Sequence, residues 1–531
     1  MQANSGTVRF RLLRALALTR MFQGLSDLGH AYLSFMNPAT LAYGLGGAFV
    51  GIVMGILPGL SATLAIALLT TLTIKLQAND AILVLICSYV GALYGGSRTA
   101  ILLNIPGTAA NAASCADGYA LALRGEAGRA IGIATSGAFV STLFGVLCLA
   151  MFTPTLAEFA LSFGAFEFFW LALFGVTMSG SIVGNDALKG WLMGLLGLFI
   201  AQIGQDGLYA HNRFTFGWNE LSGGVALIPA LVGAFGLAEV LTTLADPVER
   251  KIIDLKDSVL PRFREVLQYW RTVLRSGVIG VFTGLLPGVG EDAGAWMSYA
   301  AAKAVSKEKE QFGKGSIDGL MAAETGDMAS IPGHIIPCLA LGIPGSAPSA
   351  VLMAAMIIHG IQPGPMLMVT HPRFIYEVVA MTTLASVTIL LFGLFGVRPL
   401  LQVLRVKRAV LMPIVFLLCT VGAFASASRL FDVYVMLAIG VGAFFLRRRG
   451  YEMAPLVLGL VLGPLLDKSL RRGLVLSDGS LAPFFTRPIC MVFAAVTLFT
   501  ILLYVPAFKA GVQRSREAAG VAWRSLFTWR S

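Results

Sequence analysis

Charge is what this chain has least of. Only 13% of its 531 residues are Asp, Glu, Lys or Arg, about half the ~25% usual in a soluble domain, while 56% are hydrophobic. That excludes an ordinary soluble protein. Histidine is scarce too, with five in the chain. There is no HExxH, no GxSxG and no histidine-rich helix face, so the constellations that a membrane-embedded protease or acyl-transfer enzyme needs are missing. None of the six cysteines belongs to a CxxC pair, and Cys87, Cys148, Cys419 and Cys490 lie within apolar runs. They read as reduced packing residues, neither disulfides nor ligands.

In place of charge there are long uncharged stretches, among them residues 31–74, 130–157, 378–397, 409–428 and 489–508. A spanning helix takes roughly 20 such residues, so the chain is expected to cross a bilayer roughly ten to twelve times. The 60 glycines and 22 prolines fall largely inside these runs, where neighbouring helices and polar cavities satisfy the freed backbone groups. The net charge of +11 does not point to nucleic acid. Basic residues cluster between apolar runs, as at Arg405, Lys407 and Arg408, at Arg447 to Arg449, at Arg471 and Arg472, and from Lys509 to Arg516. That pattern is expected of cytoplasmic loops. At the N-terminus, Arg11, Arg14 and Arg20 interrupt any apolar region and no small-residue cleavage pattern follows. A basic amphipathic segment over residues 1–30, lying on the membrane surface, fits better than a cleaved signal.

The sequence repeats itself. Gly51-Ile-Val-Met-Gly55-Ile-Leu57-Pro58-Gly59 returns as Gly280-Val-Phe-Thr-Gly284-Leu-Leu286-Pro287-Gly288, an offset of 229 residues. Leu103-Asn104-Ile105-Pro106-Gly107-Thr108-Ala109 returns as Leu341-Gly342-Ile343-Pro344-Gly345-Ser346-Ala347, an offset of 238. A weaker third match sets Phe166-Glu167 beside Phe431-Asp432, each opening a hydrophobic run. The chain therefore divides into a first half at 31–245, a charged connector at 246–275, a second half at 276–508 and a basic tail at 509–531. The fold class expected is an all-α polytopic membrane protein of two related halves with broken helices and re-entrant hairpins.

Proline removes a backbone donor and glycine opens φ angles closed to other residues, so Leu-Pro-Gly and Ile-Pro-Gly break helices. From Arg275 to Leu286 is eleven residues, about 16 Å of helix, or half the ~30 Å hydrocarbon thickness. If Arg275 marks the interface, the break lies near mid-membrane. Irregular backbone there must be buried in protein or wetted by a cavity, and Gly/Pro-interrupted segments in matching positions of two halves point to a transporter site. Helix kinking alone is the plainer alternative.

Hydroxyl and amide residues follow the breaks: Ser61 and Thr63 after Pro58-Gly59, Thr108 and Asn111 after Pro106-Gly107, Ser346 and Ser349 after Pro344-Gly345. Such residues cap helix N-termini, and several converging N-termini can hold an anion. Interhelical hydrogen bonding is the other reading. Arg98, next to Ser97, costs at least about 2.5–3.5 kcal/mol inside a membrane unless it finds a partner or a cavity. It can meet an anionic substrate, pair with Asp292, Glu324 or Asp327, or snorkel. Asp292, Glu324 and Asp327 are the candidates for holding a coupling cation, Na⁺ or a proton, because carboxylate oxygen suits both. Loop carboxylates at a membrane edge are the alternative. His334 and His359 show no metal-ligand spacing and read as packing or hydrogen-bonding residues. No metal beyond Na⁺ and no organic cofactor is implied. The aromatics between Tyr209 and Trp218 fit an interfacial belt.

These residues carry a family likeness. Leu57-Pro58-Gly59, Tyr94-Gly95-Gly96-Ser97, Asn104 to Thr108 and Leu341 to Ala347 closely resemble the large membrane subunit of tripartite tricarboxylate transporters, the TctA family. So do His359-Gly360-Ile361-Gln362-Pro363-Gly364-Pro365 and Ala454-Pro455-Leu456-Val457-Leu458-Gly459 through Gly463-Pro464, and the likeness runs from about Gly44 to Pro488. The resemblance implies a secondary transporter of bacterial inner membranes that takes up organic carboxylates on a cation gradient. It also implies inverted repeats, elevator-like movement, a small four-helix membrane subunit and a periplasmic solute-binding protein. Two positions depart from the family pattern: Arg98 stands where a small or hydroxyl residue is common, and Asp327-Met328 where paired asparagines are. An extra positive charge suggests a substrate of different anionic geometry.

The reading that results is a carrier whose tips bind an organic anion through Pro58, Gly59, Ser61, Ser97, Arg98, Asn104, Pro106, Gly107, Thr108, Pro287, Gly288, Pro344, Gly345 and Ser346. A passive anion channel is the runner-up. Channels usually assemble pores from several copies, whereas internal duplication with broken helices favours a self-contained carrier.

Overall fold

The computed structural model describes residue 24 and residues 26–503, apart from 58–59, 183–185, 207–210, 246–256, 262, 287–288 and 404–407. Most of the N-terminal basic segment, Pro58, Gly59, Pro287, Gly288, the first part of the connector and the 509–531 tail lie outside the described residues. In the first half, α1 (Pro38–Ile56), α2 (Ala62–Thr73), α3 (Ala78–Leu103), α4 (Ala112–Leu123) and α5 (Ala127–Ala160) precede α6 (Ala165–Ile182) and α7 (Ala187–Ala201). After these comes α8 (Leu227–Ala245), which has a π-helical turn over Val232–Leu237. The second half runs through α9 (Trp270–Leu285), α10 (Gly290–Val305), α11 (Ile317–Leu341) and α12 (Ala347–Ile358). It continues as α13 (Phe374–Phe395), α14 (Arg408–Ala427), α15 (Leu430–Arg448), α16 (Ala454–Leu476) and α17 (Pro488–Leu503). The strand content described is one antiparallel pair, Gly204–Gln205 (β1) with Asn212–Arg213 (β2).

Among the described residues, seven helices are long and apolar enough to cross a membrane: α1, α3, α5, α8, α13, α14 and α15. Part of the remaining apolar sequence folds into shorter arms. Helices α2 and α12 have 12 residues each and reach about 18 Å, against the ~30 Å that a crossing needs. Helix α11 has the length, at 25 residues, but carries Asp318, Glu324 and Asp327.

The chain falls into two compact units, one made of residues 1–162 and 225–450, the other of 163–224 and 451–531. In the larger unit the duplication is visible in the backbone. Helix α1 ends at Leu57 with φ −82° and ψ 107°, and α9 ends at Leu286 with φ −89° and ψ 112°. Helix α3 ends at Asn104 with φ 55° and ψ 35°, and α11 ends at Gly342 with φ 70° and ψ 30°. Both second breaks therefore use the left-handed region, open to glycine and tolerated by asparagine.

Packing repeats with the same register. A methyl group at Gly51 or Gly55 would strike the carbonyl of Ser88 or Ala92, and one at Gly280 or Gly284 that of Gly326 or Ser330. The offsets of 229 and 238 map the first pair of contacts onto the second. Glycine here lets two backbones touch, so α1 lies along α3 as α9 lies along α11, through the close van der Waals contact that drives helix association in lipid. Helices α3 and α11 are buried along nearly their whole length, the charged Arg98, Glu324 and Asp327 included.

The smaller unit gathers α6, α7, α16 and α17. Gly197 admits the Leu456 carbonyl, Trp170 Nε1 donates to the Phe484 carbonyl at 2.6 Å, and Arg487 pairs with Glu167 at 2.9 Å. Arg213 bridges Asp206 at 3.1 Å and Asp467 at 3.0 Å, while Phe216 and Trp218 stay exposed. The weak third match holds locally: Glu167 and Asp432 each sit in the first turn of an apolar helix, one in each unit.

Candidate functional site

The site is built where α3 and α11 break. After its break each half places a hydrogen-bonded polar pair ahead of a short helix, and in the second half that pair caps it. Ser346 and Ser349 form a capping box on α12, with Ser346 N–H donating to Ser349 Oγ at 2.8 Å. Thr108 N–H donates to Asn111 Oδ1 at 3.2 Å, and the 238 offset places Thr108 on Ser346 and Asn111 on Ser349. These pairs also reach across. Ser346 Oγ lies 3.0 Å from the Tyr89 hydroxyl of α3, and Asn111 Nδ2 donates to Asp327 Oδ2 of α11 at 2.9 Å. Tyr89 and Asp327 are themselves related by 238. Each tip is thus tied to the same position on the other half's long helix.

Arg98 sits six residues before the break that ends α3, 2% exposed, and pairs at 3.2 Å with Glu324, 1% exposed. Every guanidinium nitrogen is engaged: Nε with Ser97 Oγ at 3.1 Å, Nη1 with Tyr94, Thr135 and the Ile131 carbonyl, Nη2 with Ser97 and Glu324. Glu324 Oε1 accepts from Ser114 at 2.6 Å. Of the three carboxylates considered as partners, Glu324 is the one that Arg98 meets. The extra positive charge is matched by a negative one in a closed network, as burial in a low-dielectric region requires.

Three acids remain. Asp117 Oδ1 accepts from the amides of Gly313, Gly315 and Ser316 at 2.7–2.8 Å, which fixes the loop before α11. Asp327 has one oxygen on Asn111, while Oδ1 is buried without a hydrogen bond among the described residues. Glu291 accepts from the Tyr89 hydroxyl and lies 3.9 Å from His334 Nδ1. His334 is fully buried, and neither ring nitrogen makes a hydrogen bond among the described residues. Unpaired buried polar atoms each cost roughly 1–3 kcal/mol, so Asp327 and His334 mark where a polar guest is needed.

Of the residues expected from sequence, Ser61 is the N-cap of α2 and accepts from Leu64 N–H at 3.2 Å. Ser97, Arg98, Glu324 and Asp327 are buried mid-helix, and Pro344, Gly345 and Ser346 are buried at the second tip. Asn104 and Pro106 are exposed, and Gly107, Thr108 and Asp292 are half-buried. Pro58, Gly59, Pro287 and Gly288 are not described. Sequence reading missed Glu291 and Tyr89. Helical phase carries the signal for the first: Glu291, Gly294, Ala295, Ser298, Tyr299 and Ala302 form the buried face of α10, leaving Asp292 at its edge. No three His, Cys, Asp or Glu side chains converge as metal ligands among the described residues. A cavity of about 330 Å³ elsewhere in the larger unit shares no residue with the tips. Its two acids, Asp27 and Glu158, suit an organic anion poorly.

Residues 41–458 match the family model described as "Tripartite tricarboxylate transporter TctA family". The chain is also similar to two proteins of Agrobacterium vitis. It is 33% identical over 493 residues, 91% of this chain and 96% of the other, to the "Uncharacterized 52.8 kDa protein in TAR-I ttuC' 3'region". It is 32% identical over 224 residues, 42% of this chain and 93% of the other, to the "Uncharacterized protein in TAR-II ttuC' 3'region". No solved structure matches.

Proposed function

This chain belongs to the TctA family of tripartite tricarboxylate transporters, a transporter component and not an enzyme, and from that premise we propose that it imports an organic carboxylate by cation symport. The membrane is the bacterial inner membrane, and a periplasmic solute-binding protein delivers the substrate. Membership of a tripartite family implies other subunits; the small four-helix membrane subunit is the second of them in this reading. The two halves stand in inverted orientation and close around substrate and cation in alternation.

One observation carries the proposal. Two polar pairs at matched helix breaks cross to Tyr89 and Asp327 of the opposite half, and among the described residues the buried Asp327 Oδ1 has no hydrogen-bond partner. Helix N-termini present amides and a positive dipole end to an anion. In this reading Ser61, Gly107, Thr108, Gly345 and Ser346 face the anion, and the coupling cation is held among the buried acids beneath the tips. Ser97 and Arg98 hold Glu324 and shape the wall behind the tip.

Reconstituted with its partner subunits, the protein should take up labelled citrate saturably under an inward cation gradient, and an ionophore should collapse that uptake. Linear flux indifferent to the gradient would contradict a carrier and favour a passive anion channel.

A further inference from the structure

Ionic charges buried around the two tips do not balance. On the basic side stands Arg98, already engaged by Glu324. Asp117 is held by three amides. Asp327 and Glu291 have no Arg or Lys partner among the contacts described, and the remaining group beside them is His334, with its Nδ1 3.9 Å from Glu291 Oε1. The other packed helices offer no compensation at that depth. Helix α9 carries Arg271 and Arg275 in its first two turns, α5 carries Arg129 near its start and Glu158 near its end, and α2 carries no charge. Helix α4 adds Cys115 and Tyr119, and Asp292 of α10 adds a further negative charge. Two buried carboxylates left charged cost several kcal/mol per uncompensated ion.

We propose that the ion coupled to transport is a proton, and that Glu291 and His334 share it beneath the second tip. This rests on the carrier reading above and names its coupling ion. Donor chemistry decides between the candidates. An alkali cation takes oxygen ligands, whereas a buried imidazole whose nitrogens have no hydrogen-bond partner among the described residues, set against a carboxylate, is a proton site. The geometry also connects it to the anion. Tyr89 donates to Glu291 and contacts Ser346, the N-cap of α12. With Glu291 charged, the Tyr89 hydrogen is drawn to the carboxylate; with the proton bound, Tyr89 is released to donate to Ser346 or to an anion at that cap. The proton enters with the substrate and leaves with it, and no covalent bond changes.

Two measurements test this. The first needs no substrate: ¹⁵N-histidine spectra of the full-length protein across about pH 5–9 should show His334 gaining a proton, its midpoint displaced by at least one unit, roughly tenfold, in Glu291→Gln. A His334 signal indifferent to pH and to Glu291→Gln overturns the proposal and leaves the carrier reading standing. The second uses the reconstituted complex in sodium-free vesicles with labelled citrate and succinate. An inward proton gradient should drive accumulation, and Glu291→Gln and His334→Gln should each lower the ratio of gradient-driven uptake to exchange at least tenfold. Accumulation that needs Na⁺ and ignores the pH gradient overturns the proton alone. Absence of saturable uptake across a panel of di- and tricarboxylic acids, under either gradient, contradicts both.

Discussion

The two second breaks share a backbone and differ in burial and in the side chains packed against them. Asn104 and Gly342 adopt the same left-handed turn, yet Asn104 and Pro106 are exposed while Ile343, Pro344, Gly345 and Ser346 are buried. A methyl group at Gly107 would strike Gly96, and one at Gly345 would strike the ring of His334 at the matching position. Duplication therefore preserved the break and its polar pair, because backbone geometry there allows few residues. The side chains beside the break diverged, and with them the chemistry: one tip faces outward and the other covers an ionisable cluster. Symmetric architecture with asymmetric content suits a carrier whose halves do different work.

The largest test concerns the pair that has no counterpart. Arg98 and Glu324 align, at the offset of 238, with Ile336 and Ile86. Arg98→Leu or Glu324→Leu should each destabilise by about 3–5 kcal/mol, because one buried charge is left alone, whereas Arg98→Ile with Glu324→Ile should lie within about 2 kcal/mol of the original protein. Denaturant unfolding in mixed micelles reads both. A double variant as damaged as the singles would mean that the pair does more than cancel itself. Next come the cross-links between halves. Asn111→Ala removes the hydrogen bond to Asp327 and should cost about 1–3 kcal/mol. Its counterpart Ser349→Ala loses bonds within its own cap and should cost about 0.5–2 kcal/mol. The smallest effect is expected at Thr108→Ala, half-buried at the outward tip, within about 0.5 kcal/mol. A cost at Thr108 matching that at Ser346→Ala would erase the distinction between the tips.

The tips themselves were legible in the sequence, because Pro-Gly after an apolar run repeats in register and its backbone consequence is local. Burial and partnership were not. Whether Arg98 meets Glu324 or Asp327 depends on which turn of α11 faces α3, and one residue of helical phase decides it. Glu291 stayed hidden behind Asp292 for the same reason: the phase of α10 is set by a break at Leu286–Val289 whose geometry no pattern prints. Tyr89 looked like one more aromatic in an apolar run. Span number was blurred by arms such as α2 and α12, whose composition is that of a crossing and whose length is not. The grouping of 163–224 with 451–531 joins late segments of both halves, a long-range pairing that neither repeat announces.

Thiol labelling at the two tips tests the central claim most directly. In a cysteine-free background, Pro106→Cys should react with a membrane-impermeant maleimide at least tenfold faster than Pro344→Cys. Saturating substrate acid should slow the first, and turnover under the coupling gradient should expose the second. Rates at both positions that ignore every di- and tricarboxylate offered would contradict a binding site between the tips.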